Sequence, residues 1–382
     1  MTITPDSTPP PGQDADSTNA DRTGVVSAAP TADEFAERFL TSTLATAETM
    51  SVYLGERLGW YRSLADHGPL TADDLAARTA TDARYAREWL EMQAAYGILE
   101  ADMSGTTTTF DISPGVAEVL TDTASLNYLG ALPRMFAASF GRLPELLDAY
   151  RTGGGVSWEQ FGTDARESQA ALNRPWFESR LAPALAGVPH IHELLSRPGA
   201  QVLDIGFGAG YSTIALARAY PDARLIGLDI DADSVQMARR NAEAAGHADR
   251  VHFEIAGGEE ATRRGPFDAA FAFECLHDMP RPVEVLTAAR QALAPGAPMI
   301  VMDEAVSDKF SGPADELDKL MYGFSLFVCL PDSMSSPPSA ATGTVMRPST
   351  LRSYAEQAGF RSVEVLPIED FAFFRFYELR TG

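Results

Sequence analysis

A glycine-rich turn between a strand pattern and a helix pattern constrains this chain more than any other feature. The strand pattern QVLDIG starts at Gln201, glycines stand at Gly206, Gly208 and Gly210, and the helix pattern STIALARAY starts at Ser212. Glycine lets the backbone turn tightly and approach a ligand closely, and the first turn of a helix offers free N–H groups. The order strand, glycine turn, helix therefore predicts a ligand-binding turn at the carboxyl end of a strand.

Strand and helix patterns alternate through the rest of the chain. The further strand patterns are RLIGLDI, VHFEIA, FDAAFAFECL, PMIVMDEAV, RSVEVLPI and EDFAFFRFYEL. Such alternation is typical of a doubly wound parallel sheet with helices on both faces. We therefore predict an α/β domain over 198–382, with a helical insertion and a lid loop over 305–347.

An acidic residue ends the second strand pattern. Asp229 follows Gly210 by 19 residues. A carboxylate at this place accepts hydrogen bonds from both hydroxyls of a ribose. The alternative role, a helix cap, is already offered by Asp231 or Asp233. A nicotinamide dinucleotide fold would place its third glycine where Tyr211 stands, so a dehydrogenase is disfavoured.

These motifs resemble those of the class I S-adenosylmethionine (SAM)-dependent methyltransferases. They are most similar to bacterial small-molecule O-methyltransferases with an N-terminal winged-helix-like domain. The resemblance covers 33–382 and is firmest between Val202 and Glu304. It implies a seven-stranded Rossmann-like sheet that ends in an antiparallel hairpin strand, with SAM as the cofactor. It also implies that the glycine turn cradles the methionine end of SAM, with Asp204 near the amine and Asp229 on the ribose.

The resemblance implies a wider cofactor-binding set at the carboxyl ends of the strands. The family often has an aspartate near the adenine after the third strand, where this chain has Gly257, Gly258 and Glu259. A backbone N–H or Glu259 is expected to replace that aspartate. The full expected set is Asp204, Gly206, Gly208, Gly210, Ser212, Asp229, Ile230, Gly257, Gly258 and Glu274.

The candidate catalytic residues follow the fourth strand of the sheet. Methyl transfer is an in-line displacement that depends on alignment, and a hydroxyl nucleophile gains from losing its proton to a group such as histidine. The segment Leu276-His277-Asp278 resembles the O-methyltransferase segment whose histidine is the general base. His277 is therefore the candidate base, with Asp303 or Glu304 as the acid that orients it. Asp278 is interpreted as the cap of the following helix.

Other reactions stay open at this point. Methyltransferases that act on nitrogen or carbon also carry histidine in this loop, and a methyltransferase-like protein can catalyse a non-methylating reaction. A ligand-responsive DNA-binding regulator is the least favoured alternative. The histidines are scattered without matching acidic residues, so we expect no metal site.

Aromatic and apolar side chains outside the sheet predict an acceptor pocket. Residues 125–197 have a helical pattern and are interpreted as a linker and pocket roof, although each aromatic taken singly also suits an ordinary core. The acceptor is expected to be a small, largely apolar or aromatic molecule. The candidate pocket residues are Phe140, Trp158, Phe161, Trp176, Phe177, Met321 and Phe324.

The first part of the chain predicts a separate domain. Residues 1–30 have the composition of a disordered tail. Residues 31–124 combine an apolar helical stripe, a helix that starts at Thr71, a second helix and a Thr-rich hairpin, which is the order of a winged helix. Five acidic and three basic residues lie between Thr71 and Glu91, whereas a DNA-recognition helix needs a basic surplus. The apolar stripe suits either an internal core or a dimer interface, and together with the resemblance it leads us to expect a homodimerisation domain.

Composition excludes several classes of protein. The chain has 30 basic and 53 acidic residues, a net charge of −23, which disfavours nucleic-acid binding. Its two cysteines form no disulfide framework, and no apolar run reaches the length of a membrane span. These features fit a cytoplasmic protein that has a small-molecule partner and does not bind membranes.

Overall fold

The computed structural model describes residues 29–382. The tail predicted for 1–30 therefore lies outside the described residues, except for its last two positions. The chain divides into two compact units between Ile112 and Ser113. No helix in 29–382 is both long enough and apolar enough to span a membrane.

The first unit is helical with one small hairpin. Thr71 accepts a hydrogen bond of 3.1 Å from the Asp74 N–H, so the predicted helix start is confirmed. The two strands pair antiparallel, which completes the predicted winged-helix order. The elements are α1 (Ala32–Arg57), α2 (Trp60–His67), α3 (Ala72–Thr79), α4 (Ala83–Ala95), β1 (Glu100–Asp102) and β2 (Thr109–Asp111).

Helix α1 presents an apolar face to solvent. The single helical pattern seen in the sequence is broken at Gly59, whose φ of +71° separates α1 from α2. Six large apolar side chains of this segment are between 40% and 64% exposed, namely Phe35, Phe39, Leu40, Leu44, Leu54 and Leu58. Exposed apolar side chains along one helix are typical of an interaction surface.

Six helices of the second unit precede the large sheet. They are α5 (Pro114–Thr121), α6 (Leu132–Phe140), α7 (Leu143–Thr152), α8 (Trp158–Trp176), α9 (Ala182–Ala186) and α10 (Pro189–Leu195). A π-helical turn, Phe177–Leu181, joins α8 to α9.

Strands and helices then alternate as the sequence predicts. The elements are β3 (Gln201–Ile205), α11 (Tyr211–Ala219), β4 (Arg224–Asp229), α12 (Ala232–Ala244), β5 (Val251–Ile255), β6 (Ala269–Phe273), α13 (Pro282–Ala292), β7 (Met299–Glu304), α14 (Glu316–Phe324), α15 (Leu330–Met334), α16 (Pro348–Gln357), β8 (Ser362–Val365) and β9 (Phe374–Arg380). A second π-helical turn, Ser325–Cys329, lies between α14 and α15.

The strands form one seven-stranded sheet in the order β5-β4-β3-β6-β7-β9-β8. The first five strands are parallel, and β9 runs antiparallel to both β7 and β8. The predicted doubly wound sheet with its antiparallel hairpin strand is thus confirmed. The chain order reverses between β3 and β6, and the carboxyl ends of strands at such a point form the crevice where ligands bind in this architecture.

Both faces of the sheet are buried, and β6 shows why. Its sequence AAFAF alternates alanine with phenylalanine, and all five residues are buried. Phe271 and Phe273 stack with centroids 5.2 Å apart on one face. Ala270 and Ala272 give the helices on the other face room to approach. This tightly packed centre holds the carboxyl ends of β3 and β6 at fixed positions.

Candidate functional site

The glycine turn between β3 and α11 has a conformation that requires glycine. Gly206, Gly208 and Gly210 have φ angles of +69°, +54° and +78°, in the left-handed region. A Cβ at Gly206 would lie 2.7 Å from the Cys275 sulfur, and one at Gly210 would lie 2.7 Å from the Phe253 ring. A Cβ at Gly208 would meet no atom within 4 Å. The turn is therefore packed tightly at both ends and open in the middle, as a ligand cradle requires.

Asp204 lies beneath the turn and is fully buried. Its Oδ2 accepts hydrogen bonds from Ser212 Oγ (2.7 Å) and Thr213 Oγ1 (2.6 Å), so it fixes the first turn of α11. Its Oδ1 is buried without a hydrogen-bond partner within 29–382. Burial raises the pKa of this carboxyl to about 7. The resemblance placed Asp204 at the cofactor amine, whereas the structure gives it no exposed surface and places Ser212 beside it as a buried donor.

Asp229 organises the other side of the cleft. Its Oδ2 accepts from the Gly208 N–H and its Oδ1 from the Asp231 N–H, both at 2.9 Å. Asp231 caps α12 by accepting a hydrogen bond of 2.9 Å from the Ser234 N–H. Asp229 is therefore not the cap of this helix. Each carboxylate oxygen has two acceptor sites, so Asp229 keeps capacity for two ligand hydroxyls.

Three further candidates lie beside Asp229. Ile230 follows it directly in the chain, with 75% of its surface exposed. Gly257 and Gly258 follow β5, and a Cβ on Gly258 would lie 2.6 Å from Val285 and 2.8 Å from Ile205. The structure therefore brings the second and third strand ends together around the open part of the glycine turn.

Glu274 ends β6 in a strained backbone conformation. Its φ of +50° is rare for a residue with a side chain, and such strain occurs mainly at functional sites. Gln169 Nε2 donates to Oε1 at 2.9 Å and Asn173 Nδ2 donates to Oε2 at 2.5 Å. Burial raises the pKa of Glu274 to about 7. The carboxylate is thus held in one orientation by two amides from α8.

Helix α8 bridges both sides of the glycine turn, a role that the sequence analysis missed. Arg166 makes two hydrogen bonds to Asp231, at 2.6 and 2.8 Å, and its side chain is 6% exposed. Arg166, Gln169 and Asn173 are spaced three and four residues apart, so they share one helix face. Polar residues at this spacing usually indicate a solvated face, and the signal in the sequence was therefore ambiguous.

His277 lies in the short 3₁₀ turn Leu276–Asp278 and is buried. Its Nδ1 is 2.9 Å from Asp303 Oδ1 and 3.3 Å from Glu304 Oε2. Both acids end β7 and are buried. The structure thus brings together the three residues that the sequence analysis selected as candidate base and orienting acids.

The opposite ring nitrogen of His277 also faces an acid. Its Nε2 is 3.3 Å from Asp278 Oδ1, and the Cys329 thiol contacts both residues. The proposed capping role of Asp278 is wrong, because α13 begins four residues later and has Arg281 at its cap position. Burial alone would lower the pKa of His277, but the carboxylates of Asp278, Glu304 and Asp303 raise it well above its usual value.

Two groups of side chains in the described part of the chain have the spacing of metal ligands. The ligand-type atoms of His277, Asp278 and Cys329 lie within 4.8 Å of one another, and so do those of His277, Asp303 and Glu304. The residues come from three distant segments, so sequence spacing gave no sign of them. The hydrogen bond from His277 to Asp303 satisfies Nδ1 without an ion.

Aromatic side chains form a wall outside the sheet. Phe324 stacks on Phe136 at 5.6 Å, and Phe140 meets Phe327 edge-on at 5.5 Å. The same cluster includes Trp158 and Phe161, and Cys329 packs against it. The aromatic wall therefore adjoins the His277 cluster through Cys329. Phe136 and Phe327 lie in the two segments predicted to line the pocket, 125–197 and 305–347, but were not among the candidate pocket residues.

Three of the candidate pocket residues lie elsewhere. Trp176 packs 5.8 Å from Phe371, and Phe177 packs 5.5 Å from Phe273, both in the core against the sheet. Met321 is buried and lies outside the aromatic cluster. The two tryptophans differ because Trp158 is the first residue of the long helix α8 and Trp176 is its last. Aromatic content alone did not distinguish these two environments.

Comparisons with known proteins match this architecture. Residues 196–326 match the family model of a methyltransferase domain, and residues 46–122 match that of an Rv2258c-like winged HTH domain. The chain therefore carries a methyltransferase domain of the class I SAM-dependent fold, preceded by a winged helix-turn-helix domain.

Individual relatives are more distant. The O-methyltransferase cnsE of Penicillium expansum is 30% identical over 173 residues, which cover 45% of this chain and 56% of that protein. The first curated relatives are matched over 24% to 56% of their own length.

Solved structures share the whole fold. An O-methyltransferase family protein from Burkholderia thailandensis has a TM-score of 0.64 at 17% identity, covering 92% of this chain and 97% of that one. Human N-acetylserotonin methyltransferase in complex with SAM has a TM-score of 0.66 at 18% identity, covering 93% and 100%.

The buried carboxyl of Asp204 gives a pH-dependent prediction. Its pKa is higher in the folded chain than in the unfolded chain, so its contribution to stability is present at low pH and is lost as pH rises through about 7. As pH rises from about 5 to about 8, we expect the urea midpoint of wild type to fall relative to that of Asp204→Asn. Asp222→Asn, at an exposed loop, should follow wild type. A pH-independent difference between Asp204→Asn and wild type would contradict the assignment.

Proposed function

We propose that this protein is a SAM-dependent methyltransferase that methylates a hydroxyl group of a small, largely apolar or aromatic acceptor. The observation that carries the proposal is the position of two sites at neighbouring strand ends. The open glycine turn with Asp229 follows β3 and β4, and the buried His277 cluster follows β6 and β7. When bound, SAM supplies a methyl group activated by its positively charged sulfur.

The cofactor site is proposed from side chains that have unused capacity. Asp229 is the acceptor for the ribose hydroxyls, and the exposed Ile230 gives an apolar surface for the adenine. Gly257 and Gly258 lie beside them and offer backbone in place of the aspartate that the family often has there. Glu274, oriented by Gln169 and Asn173, is the carboxylate proposed to bind the cofactor ammonium in place of buried Asp204.

The acceptor site is proposed between the aromatic wall and the His277 cluster. An aromatic wall favours a flat apolar acceptor, as edge-on and stacked rings stabilise one another. A cluster of one histidine and three carboxyl groups suits proton removal from a hydroxyl, which transfer to an unprotonated amine does not need. This cluster is why O-methylation is preferred to N- or C-methylation or to a non-methylating reaction. We propose that the reaction needs no metal ion.

The winged domain is proposed to serve homodimerisation in a cytoplasmic enzyme of small-molecule biosynthesis. Its exposed apolar face on α1 needs a partner, and a second copy of the chain presents the same face. DNA binding is disfavoured because acidic residues outnumber basic ones across α3 and α4.

Cofactor binding is tested by calorimetric titration of SAM, and of its demethylated product, into the full chain. We expect micromolar affinity for wild type and at least a tenfold loss for Asp229→Ala, since a hydrogen bond to a charged group contributes about 1.5–3 kcal/mol. Asp222→Ala, an exposed acid at the opposite end of β4, should bind like wild type. A folded wild type that binds neither compound would overturn the proposal.

The acceptor is tested with a panel of phenols, aromatic amines and carbon nucleophiles, with product mass as the readout. We expect phenols to gain one methyl group, at an unchanged rate in the presence of a chelator. Methylation confined to amines or carbon acceptors would replace the O-methylation proposal, and loss of the rate with chelator would show that a metal is required.

Dimerisation is tested with charged substitutions on α1. We expect Phe39→Glu with Leu44→Glu to reduce the molar mass in light scattering from twice the 41.1 kDa of one chain to that of a single chain. Ala45→Glu is the matched control, because position 45 is exposed on the other side of the helix. A double variant that keeps the wild-type mass would exclude this face as the interface.

A further inference from the structure

On the basis of the proposed function, we infer that the Asp278 carboxylate, and not the imidazole of His277, takes the proton of the acceptor hydroxyl. His277 then acts as a positioning residue, held by Asp303 and Glu304. The sequence resemblance assigns the base role to His277, and four features of the structure favour Asp278 instead.

The first feature is that both ring nitrogens of His277 face carboxylates. Nδ1 is hydrogen-bonded to Asp303 at 2.9 Å, and Nε2 lies 3.3 Å from Asp278 Oδ1, which has no hydrogen-bond partner within 29–382. Carboxylates this close on both sides of the ring favour its protonated form. In that form the imidazole has no lone pair to receive a proton.

The second feature is accessibility. The Asp278 side chain is 31% exposed, whereas the side chains of His277, Asp303 and Glu304 are at most 2% exposed. A general base must come within hydrogen-bond distance of the proton that it removes. Of these four side chains, Asp278 is the one with exposed surface for a ligand, while its Oδ1, which faces His277, is buried.

The third feature is the position of Asp278 beside the aromatic wall. Cys329 contacts Asp278 and also packs against the cluster that contains Phe136 and Phe324. The segment after α15 closes over the same turn, with the Gly343 N–H donating to the His277 carbonyl at 3.2 Å. An aromatic acceptor that rests on the wall therefore has its polar edge close to Asp278.

The fourth feature is the charge arrangement. Asp278 is surrounded by one basic side chain, the Cys329 thiol and two other acids, namely His277, Cys329, Asp303 and Asp332. His277 is surrounded by three acids and the same thiol, namely Asp278, Asp303, Glu304 and Cys329. Burial raises the pKa of Asp278, which makes it a stronger base than an exposed aspartate, while the His277 cation keeps it ionised before the reaction.

The step balances with Asp278 as the base. The acceptor O–H bond breaks and its proton passes to a carboxylate oxygen of Asp278. The electron pair left on the acceptor oxygen forms the bond to the methyl carbon, and the pair of the broken carbon–sulfur bond stays on sulfur. Asp278 afterwards releases its proton to water through its exposed side.

The charge state of His277 is tested directly, without an acceptor. Nitrogen-15 NMR of the labelled full chain, with His277→Asn to assign the signal among six histidines, reports both ring nitrogens. We expect both to be protonated at about pH 8, where an ordinary histidine is neutral. A neutral ring with a free Nε2 would overturn the inference.

The base is tested with phenol acceptors from the panel and their nitro-substituted analogues, which are ionised at neutral pH. We expect Asp278→Asn to slow methylation of the weakly acidic phenols by about 10²–10⁴-fold and to be largely restored with the ionised analogues. His277→Asn should slow both classes alike. The reverse pattern, restoration for His277→Asn and a near wild-type Asp278→Asn, would make His277 the base.

The two proposals fail in different ways. Asp222→Asn is the matched control for the loss of one aspartate, and SAM titration into Asp278→Asn shows whether the cofactor site is intact. If wild type binds no SAM or methylates nothing, the proposed function fails, while NMR still decides whether His277 is a cation. If wild type methylates phenols and Asp278→Asn does so equally well, only the assignment of the base fails.

Discussion

The left-handed glycine turn after β3 is the constraint on which the rest of the site depends. Gly206 lets Cys275 of the neighbouring strand end pack against the turn, and Gly210 admits Phe253 of β5. The turn therefore connects β3 to α11 and also packs against β5 and the end of β6. Two carboxylates hold this backbone. Asp204, below the turn, accepts hydrogen bonds from Ser212 and Thr213. Asp229, beside the turn, accepts one from the Gly208 N–H. A side chain at Gly206 would displace Cys275, and one at Gly210 would displace Phe253 and Ala238.

The sequence predicted the sheet and the glycine turn with Asp229 beside it because these features depend on short-range patterns. The glycine spacing, the acid at the end of the next strand and the alternation of strand and helix are visible within about 30 residues, as in any βαβ unit. The link between His277 and the two acids of β7 followed from knowing that neighbouring parallel strands end at one edge. These predictions needed only local order and the topology of the fold.

The remaining features depend on contacts between distant segments. Arg166, Gln169 and Asn173 have the spacing of a solvated helix face, yet they bind Asp231 and Glu274 across the cleft. No local pattern shows that a helix crosses the strand ends. Asp278 was interpreted as a cap because a helix follows it, but the helix begins too late for that contact. Trp158 and Trp176 differ in environment because one helix passes from the aromatic wall to the sheet.

The charges of the proposed site favour a carboxylate base over a neutral imidazole. A neutral base would become a cation while the positive charge on sulfur disappears, so one positive charge would only move within the site. Proton transfer to Asp278 removes its negative charge as the positive charge on sulfur disappears, so two opposite charges are neutralised together. In a water-poor interior, isolated charges are costly and their neutralisation is favoured. His277 keeps its own charge throughout, paired with Asp303, and so stabilises the ionised Asp278 only until the proton arrives.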